Sequence, residues 1–328
     1  FTVNAIAEDL NNNIWFATST KGALKYDGTA IKEYNKENGL SFNFIHAIYV
    51  DREGNVWLGS DGGGVEKFSG EQFTHYLEKH WPGMNSVKTI VEEKPGVIWF
   101  GTFYDGLIRY DSKAKAGNKF QSFSEKRGSL HNNINFSFTD SKNQLWFGTP
   151  MGLKQWTGSG FKTFGISDSI LNMYSIYEQK NGIFLIGISK GVYTFDGKDF
   201  KNFSENKLLK NTAVRTLLDD KKGNLWFGTD TGLIKYTDGK INHFTIKEGL
   251  NRNEVEIIAI DKFGNIWIAT LSGLNMYDGK KMYKISEDEG LQSNIIFLMH
   301  IDKNNFLWVG TNKGLEQINI NAFVNDKK

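Results

Sequence analysis

The sequence predicts an all-β fold: a single β-propeller of eight blades, each made of four antiparallel strands. Three observations predict it. A tryptophan-centred phrase returns along the whole chain. Its spacing is nearly constant. Glycine and aromatic residues are plentiful and proline is scarce, with 35 glycines, 14% aromatic residues and 3 prolines in 328 residues. Short strands joined by tight turns require that composition.

The phrase reads Asn-Ile-Trp-Phe-Ala-Thr at 13–18 and returns at 55–60, 97–102, 144–149, 224–229, 265–270 and 306–311. A degenerate copy, Ile-Phe-Leu-Ile-Gly-Ile, stands at 183–188. The blades are therefore centred near Trp15, Trp57, Trp99, Trp146, Leu185, Trp226, Trp267 and Trp308, with spacings of 42, 42, 47, 39, 41, 41 and 41 residues. That period is the length of a propeller blade. It sets aside the two domains that length alone suggests and predicts one domain over 1–328. A seven-bladed ring with a leftover unit is the alternative.

Each period resolves into four strands. The first ends at an acid or amide six residues before the tryptophan: Asp9, Asp51, Glu93, Asp140, Gln179, Asp220, Asp261 and Asp302. A tight turn comes next, often Gly-Asn, and the second strand is the phrase itself. A short loop then leads to Gly-Leu or Gly-Val and a third strand ending in an aromatic, as in 232–236. A further turn, often Asp-Gly, opens the fourth strand. One such sheet has two apolar faces, so stacking sheets side by side buries both. The tryptophans are read as core residues, not as a sugar platform. The eighth unit lacks a clear fourth strand. Three strands, a strand over 322–324, or an outer strand supplied from upstream of Phe1 are the expected solutions.

Composition excludes several classes. Net charge is +2 with both signs scattered, so no basic stripe for nucleic acid exists. The chain has no cysteine, which rules out disulfides and thiolate metal sites and suits an oxidising compartment. No apolar run is long enough to span a membrane. The chain starts at Phe1 without a leader-like segment, so any leader is expected to have been removed or never included.

The run Asn-Leu-Trp-Phe-Gly-Thr-Asp-Thr-Gly-Leu-Ile-Lys-Tyr at 224–236 resembles the two-component regulator propeller repeat, and 261–279 is a second close copy. The resemblance extends over nearly the whole chain. It implies an extracytoplasmic sensor module of bacterial hybrid two-component or sensor histidine kinase systems, located in the periplasm or cell envelope. Many members of that family respond to oligosaccharides. The implied partners are a small polar ligand and a neighbouring signalling domain or envelope protein. These residues cover one propeller of the usual family plan, without the β-sandwich, span and kinase that normally follow, so either an excised domain or a stand-alone envelope protein using the same repeats is expected.

In a propeller, function resides on a face. Loops between the fourth strand and the next first strand share that face with loops between strands two and three. One apolar position recurs at the start of the first strand: Val3, Ile45, Val87, Ile134, Met173, Val214, Val255 and Ile296. The next position is diverse: Asn4, His46, Lys88, Asn135, Tyr174, Arg215, Glu256 and Phe297. Varied polar groups around a channel mouth suit a small polar ligand. The ligand-binding candidates are His46, Lys88, Asn135, Tyr174, Arg215 and Glu256, joined by Tyr104 and Asp105 from a second–third loop. Asp61, Met151, Lys190, Asp230 and Lys313 occupy the corresponding loops elsewhere. Asn43, Asn85, Asn132, Asn253 and Asn294 precede the first strand and are read as turn residues.

No metalloprotease, hydrolase or phosphate-loop motif is present. The histidines His46, His75, His80, His131, His243 and His300 are scattered, and a His46–Glu256 metal pair is a minor alternative. The expectation is a non-enzymatic domain without catalytic residues, metal or cofactor. A stand-alone interaction scaffold and a streptogramin-lyase-like enzyme are the competing readings.

Overall fold

The structure is a computed structural model and describes residues 1–76, 86–124, 132–165, 172–203, 208–210 and 212–327. Asn85, His80 and His131 lie outside the described residues. The fold is an all-β propeller of eight sheets, seven with four strands and one with three, and in every sheet the strands follow one another in chain order. The chain divides into two compact units, one comprising Phe1 and Val3–Leu171, the other Thr2 and Asn172–Lys328. Each contains four blades.

Blade 1 shows the plan: strands Val3–Glu8, Ile14–Thr18, Ala23–Tyr26 and Ile31–Tyr34, all antiparallel. The second strand is buried throughout, as its apolar phrase requires. Trp15 is stacked on Tyr34 of its own fourth strand at 5.5 Å and meets Phe68 of the next blade's third strand at 4.9 Å. Trp57 repeats the arrangement with Tyr76 and Tyr110, Trp99 with Phe123 and Trp156, and Trp226 with Phe244 and Tyr277. Each of these tryptophans thus fastens its blade to the following one, with apolar burial on the order of 2–3 kcal/mol per ring.

Two polar fasteners recur. The acid six residues before the tryptophan accepts the indole N–H, as in Trp57 Nε1 to Asp51 at 2.8 Å and Trp99 Nε1 to Glu93 at 2.9 Å. The phrase's terminal Thr or Ser donates its hydroxyl to the carbonyl of the glycine that opens the third strand, as in Thr102 to Gly106 at 2.9 Å. The degenerate blade loses both partners of the first fastener together: Leu185 has no side-chain N–H to donate, and Gln179 replaces the carboxylate.

The eighth blade has three strands, one of the expected solutions, and the alternative, in which 322–324 pair as a fourth, is not what the structure shows. Ile320–Asp326 is a short helix, with Asn319 at its N-cap accepting from the Ala322 N–H. Phe323 of this helix packs on Trp267 at 5.4 Å. The helix supplies the aromatic that a neighbouring strand supplies elsewhere.

Candidate functional site

The eight apolar positions that open the first strands are buried, between 0% and 3% exposed, as anticipated. They anchor each strand and so determine how the next residue is presented. In blade 1 Val3 pairs with Thr18 and Ala5 with Ala17, so Asn4 is skipped by the ladder. The same skip isolates His46, Lys88, Tyr174, Arg215, Glu256 and Phe297. The diverse position is the extra residue of a β-bulge in seven blades. A bulge turns its side chain away from the pleat and frees it from the packing rules of the sheet. In blade 4 the ladder begins at Phe136, and Asn135 stands just before it with its N–H on the Gly148 carbonyl.

In the first unit the structure brings His46, Lys88 and Asn135 together around Phe103, which sequence reasoning missed. His46 is stacked on the Phe103 ring at 5.2 Å, and the Lys88 ammonium lies 4.8 Å from its centroid. Lys88 also donates to the Asn135 side-chain carbonyl at 3.0 Å. Burial pushes the His46 pKa down, Asp61 opposes that effect and Lys88 adds to it, leaving the imidazole below its ordinary value. Burial likewise holds the Lys88 pKa below the usual lysine range. The His46 Nδ1 is buried and makes no hydrogen bond among the described residues. A neutral imidazole, a partly desolvated ammonium and an amide therefore lie side by side, all able to bind a polar group.

Among the described residues Tyr104 is the most exposed large apolar side chain, at 68%, and it lies 6.0 Å from Phe103. Thr102 positions this loop by accepting the Asp105 N–H at 2.9 Å while bonding Gly106. Gly106 has φ of 80°, and a Cβ there would meet the Phe123 carbonyl at 2.5 Å. A signal for Phe103 was available: the residue after the phrase is Ser19, Asp61, Pro150, Ser189, Asp230, Leu271 or Asn312 in the other blades, and only here is it aromatic.

In the second unit Arg215 lies over the Tyr174 ring at 5.9 Å and pairs with Glu256 at 3.4 Å. The Arg252–Glu254 fork, at 2.6 Å, adds charge of both signs nearby. Tyr174 and Phe297 are 40% and 45% exposed. His46 and Glu256 belong to different units. Among the described residues no group of three or more His, Asp or Glu side chains could hold a metal ion.

Other candidates have structural partners. Asn4 donates to the Ile45 carbonyl at 2.8 Å. Lys313 is bonded to the Gln292 carbonyl and Glu287, and Asp230 accepts from Thr212. Asn43, Asn253 and Asn294 each accept a backbone N–H seven residues upstream, from Lys36, Ile246 and Glu287, which is the turn role expected of them. A cavity of about 320 Å³ between blades 3 and 4, lined by Phe123, Asn132, Lys154 and Phe161 among others, contains none of the eight candidates. His75 hydrogen-bonds Ser41, and His243 the Thr231 carbonyl.

The profile of the family described as two component regulator propeller matches residues 39–62, 208–231 and 290–313. Each match runs from the loop before a first strand through the tryptophan phrase. These three segments match the two component regulator propeller repeat. Solved structures align with this chain as well. One is the extracellular domain of the putative one component system BT4673 from B. thetaiotaomicron, at 20% identity and a TM-score of 0.60 over 97% of this chain and 50% of that one. The present chain thus spans about half the length of that domain. The computationally designed protein Ika8 aligns with a TM-score of 0.70 at 13% identity over 97% of this chain and 96% of its own. Virginiamycin B lyase from Staphylococcus aureus aligns with a TM-score of 0.61 at 16% identity, over 82% and 92% of the two chains. At these identities the likeness is one of fold. No curated protein sequence matches the chain. No helix among the described residues is long and apolar enough to cross a membrane.

Proposed function

We propose that this chain is a non-catalytic, ligand-sensing propeller domain of a bacterial two-component-type signalling protein, acting outside the cytoplasm. Its ligand is a small polar molecule, with an oligosaccharide as the favoured class. The bulged position carries this reading: in seven of the eight blades one residue is released from packing, and those residues are chemically diverse beside a uniform buried neighbour. Around Phe103, His46, Lys88 and Asn135 offer donors and acceptors, while Asp105 and the exposed Tyr104 ring stand on the adjoining loop. A sugar presents hydroxyls to such groups and an apolar face to an aromatic ring. Tyr174, Arg215 and Glu256 form the corresponding group in the second unit. Signalling follows from differential affinity: the ligand stabilises one arrangement of propeller and adjoining signalling domain and shifts the population toward it.

The test is titration with a panel of oligosaccharides while the melting temperature is followed. A ligand that binds only the folded chain raises it. Lys88→Ala and Phe103→Ala should each weaken the response by about tenfold or more, the equivalent of one charge-assisted bond or one ring contact. Undiminished shifts in Lys88→Ala, Phe103→Ala, Tyr174→Ala and Arg215→Ala together would remove the proposal. A second reading, a protein-binding scaffold, is favoured by one observation. Leu271, Ile295 and Phe297 are exposed by 36%, 38% and 45%, and a Gly273–Asn294 backbone bond ties their two loops together.

A further inference from the structure

The corner joining first and second strands has a common shape. Three residues after the acid or amide, the chain takes a left-handed φ: 69° at Asn12, 84° at Gly54, 59° at Asn143, 92° at Gly223 and 65° at Asn305. These are residues that adopt it readily. Blade 6 departs from the rule. Lys221, one residue after Asp220, also has a φ of 60°, and no equivalent residue of another blade does so. A lysine in this region is strained, and such strain persists only where its surroundings impose it.

Those surroundings are a polar cluster reaching from blade 6 to blade 5. The Lys221 N–H donates to Asp219 at 2.6 Å, and its ammonium donates to the Tyr177 hydroxyl and lies 3.7 Å from Asp219. Tyr177 in turn donates to Asp219 at 2.8 Å. Beside this cluster is a cavity of about 300 Å³ lined by Gln179, Lys180, Asn181, Asp219, Lys221 and Gly223. It borders the one blade in which the indole–carboxylate fastener is missing. There Gln179 has no indole to hold and lines the cavity instead.

The lining is rich in donors. Asp219 is matched by Lys221, while Lys180 has no acidic partner among the described residues, so the cavity has net positive charge. Asn181 uses its carbonyl oxygen on the Ile183 N–H, which leaves its amide N–H groups for a ligand. We infer that this corner of the second unit is a binding site for a small hydroxy-carboxylate anion, with Lys180 and Lys221 meeting the carboxylate and Gln179 and Asn181 the hydroxyl and remaining oxygens. The volume is at the small end of ligand pockets.

Citrate, titrated into the intact chain at constant ionic strength, is the probe, with sulfate and erythritol as controls for bare charge and bare hydroxyls. Calorimetry and the melting temperature are the readouts. Citrate should bind and raise the melting temperature, while the controls do neither. Lys180→Ala and Lys221→Gly should each weaken citrate by about tenfold. Lys221→Gly removes the strained side chain, so the free variant should melt no lower than the parent. Lys88→Ala should bind citrate normally, which separates this site from the one around Phe103. The inference is overturned if citrate does not bind, if sulfate or erythritol matches it, or if both corner variants bind as the parent does. A lower melting temperature for free Lys221→Gly would make the twisted corner a structural brace and overturn it equally.

Discussion

At the scale of single residues, the indole–carboxylate bond decides how the corner of each blade is built. Asp51 accepts the Trp57 N–H, the side-chain amide of Asn55 and the backbone N–H groups of Glu53 and Asn55. One buried carboxylate thereby satisfies both the turn and the core ring. Deleting it leaves several buried donors unpaired, and each unmade bond costs more than a made one contributes. Asp51→Ala should therefore destabilise by about 2–4 kcal/mol in urea unfolding, although it removes no ring. The matched control is Gln179→Ala, where Leu185 presents no side-chain N–H; its effect should stay within about 0.5 kcal/mol. Equal losses at the two corners would show that the carboxylate is incidental.

At the scale of elements, the staple between second and third strands joins stability to the proposed site. Thr102 is fully buried and holds Gly106 and Asp105 from one hydroxyl. Thr102→Val keeps the shape and removes both bonds, at about 1–3 kcal/mol. Because Phe103 and Tyr104 occupy that loop, the variant should also lose ligand-induced stabilisation. Thr229→Val, which cuts the equivalent bond to Gly232, should lose stability alone. The two variants compared by melting with and without ligand check this. The period, the strand order and the buried anchors were legible in the sequence, because each depends on a residue type that recurs. The diverse position was legible too, but not its cause. A bulge is a mismatch between two strands, and neither strand's composition records it. Phe103 escaped for a related reason: it lies outside the repeat, in the loop where copies differ. The three-stranded last blade was among the expected solutions, but not the helix that follows it, which the Asn319 cap starts at Ile320.

At the scale of the whole molecule, proton linkages at Asp9, Glu93 and Asp220 sum into a measurable one. At Asp9, burial pushes the carboxyl up, but bonds from Asn13 and Trp15 pull it further down, so it ends below its ordinary value. Asp220 behaves alike through Asn224 and Trp226, and Glu93 through Arg109 and Trp99. Each gives stability that is present above the unfolded pKa and is lost as pH falls through the lower folded value. Glu66 has the opposite sign. Burial raises its pKa despite bonds from Ser41 and the nearby His75, so its contribution is whole at low pH and is lost as pH rises through the folded value. The stability curve should thus have an acid limb from the clasped carboxylates and a shallow decline on the other side from Glu66. Denaturant midpoints measured from pH 7 down to about pH 3 should fall steeply only below about pH 4, where ordinary carboxylates of the unfolded chain begin to protonate. Trp15→Phe removes one indole donor, raises the Asp9 pKa and should flatten the acid limb as well as lowering the plateau. Glu66→Gln should leave the acid limb intact and abolish the decline above it. An acid limb of unchanged slope in Trp15→Phe would mean that the indole bonds do not set the acid stability of this fold.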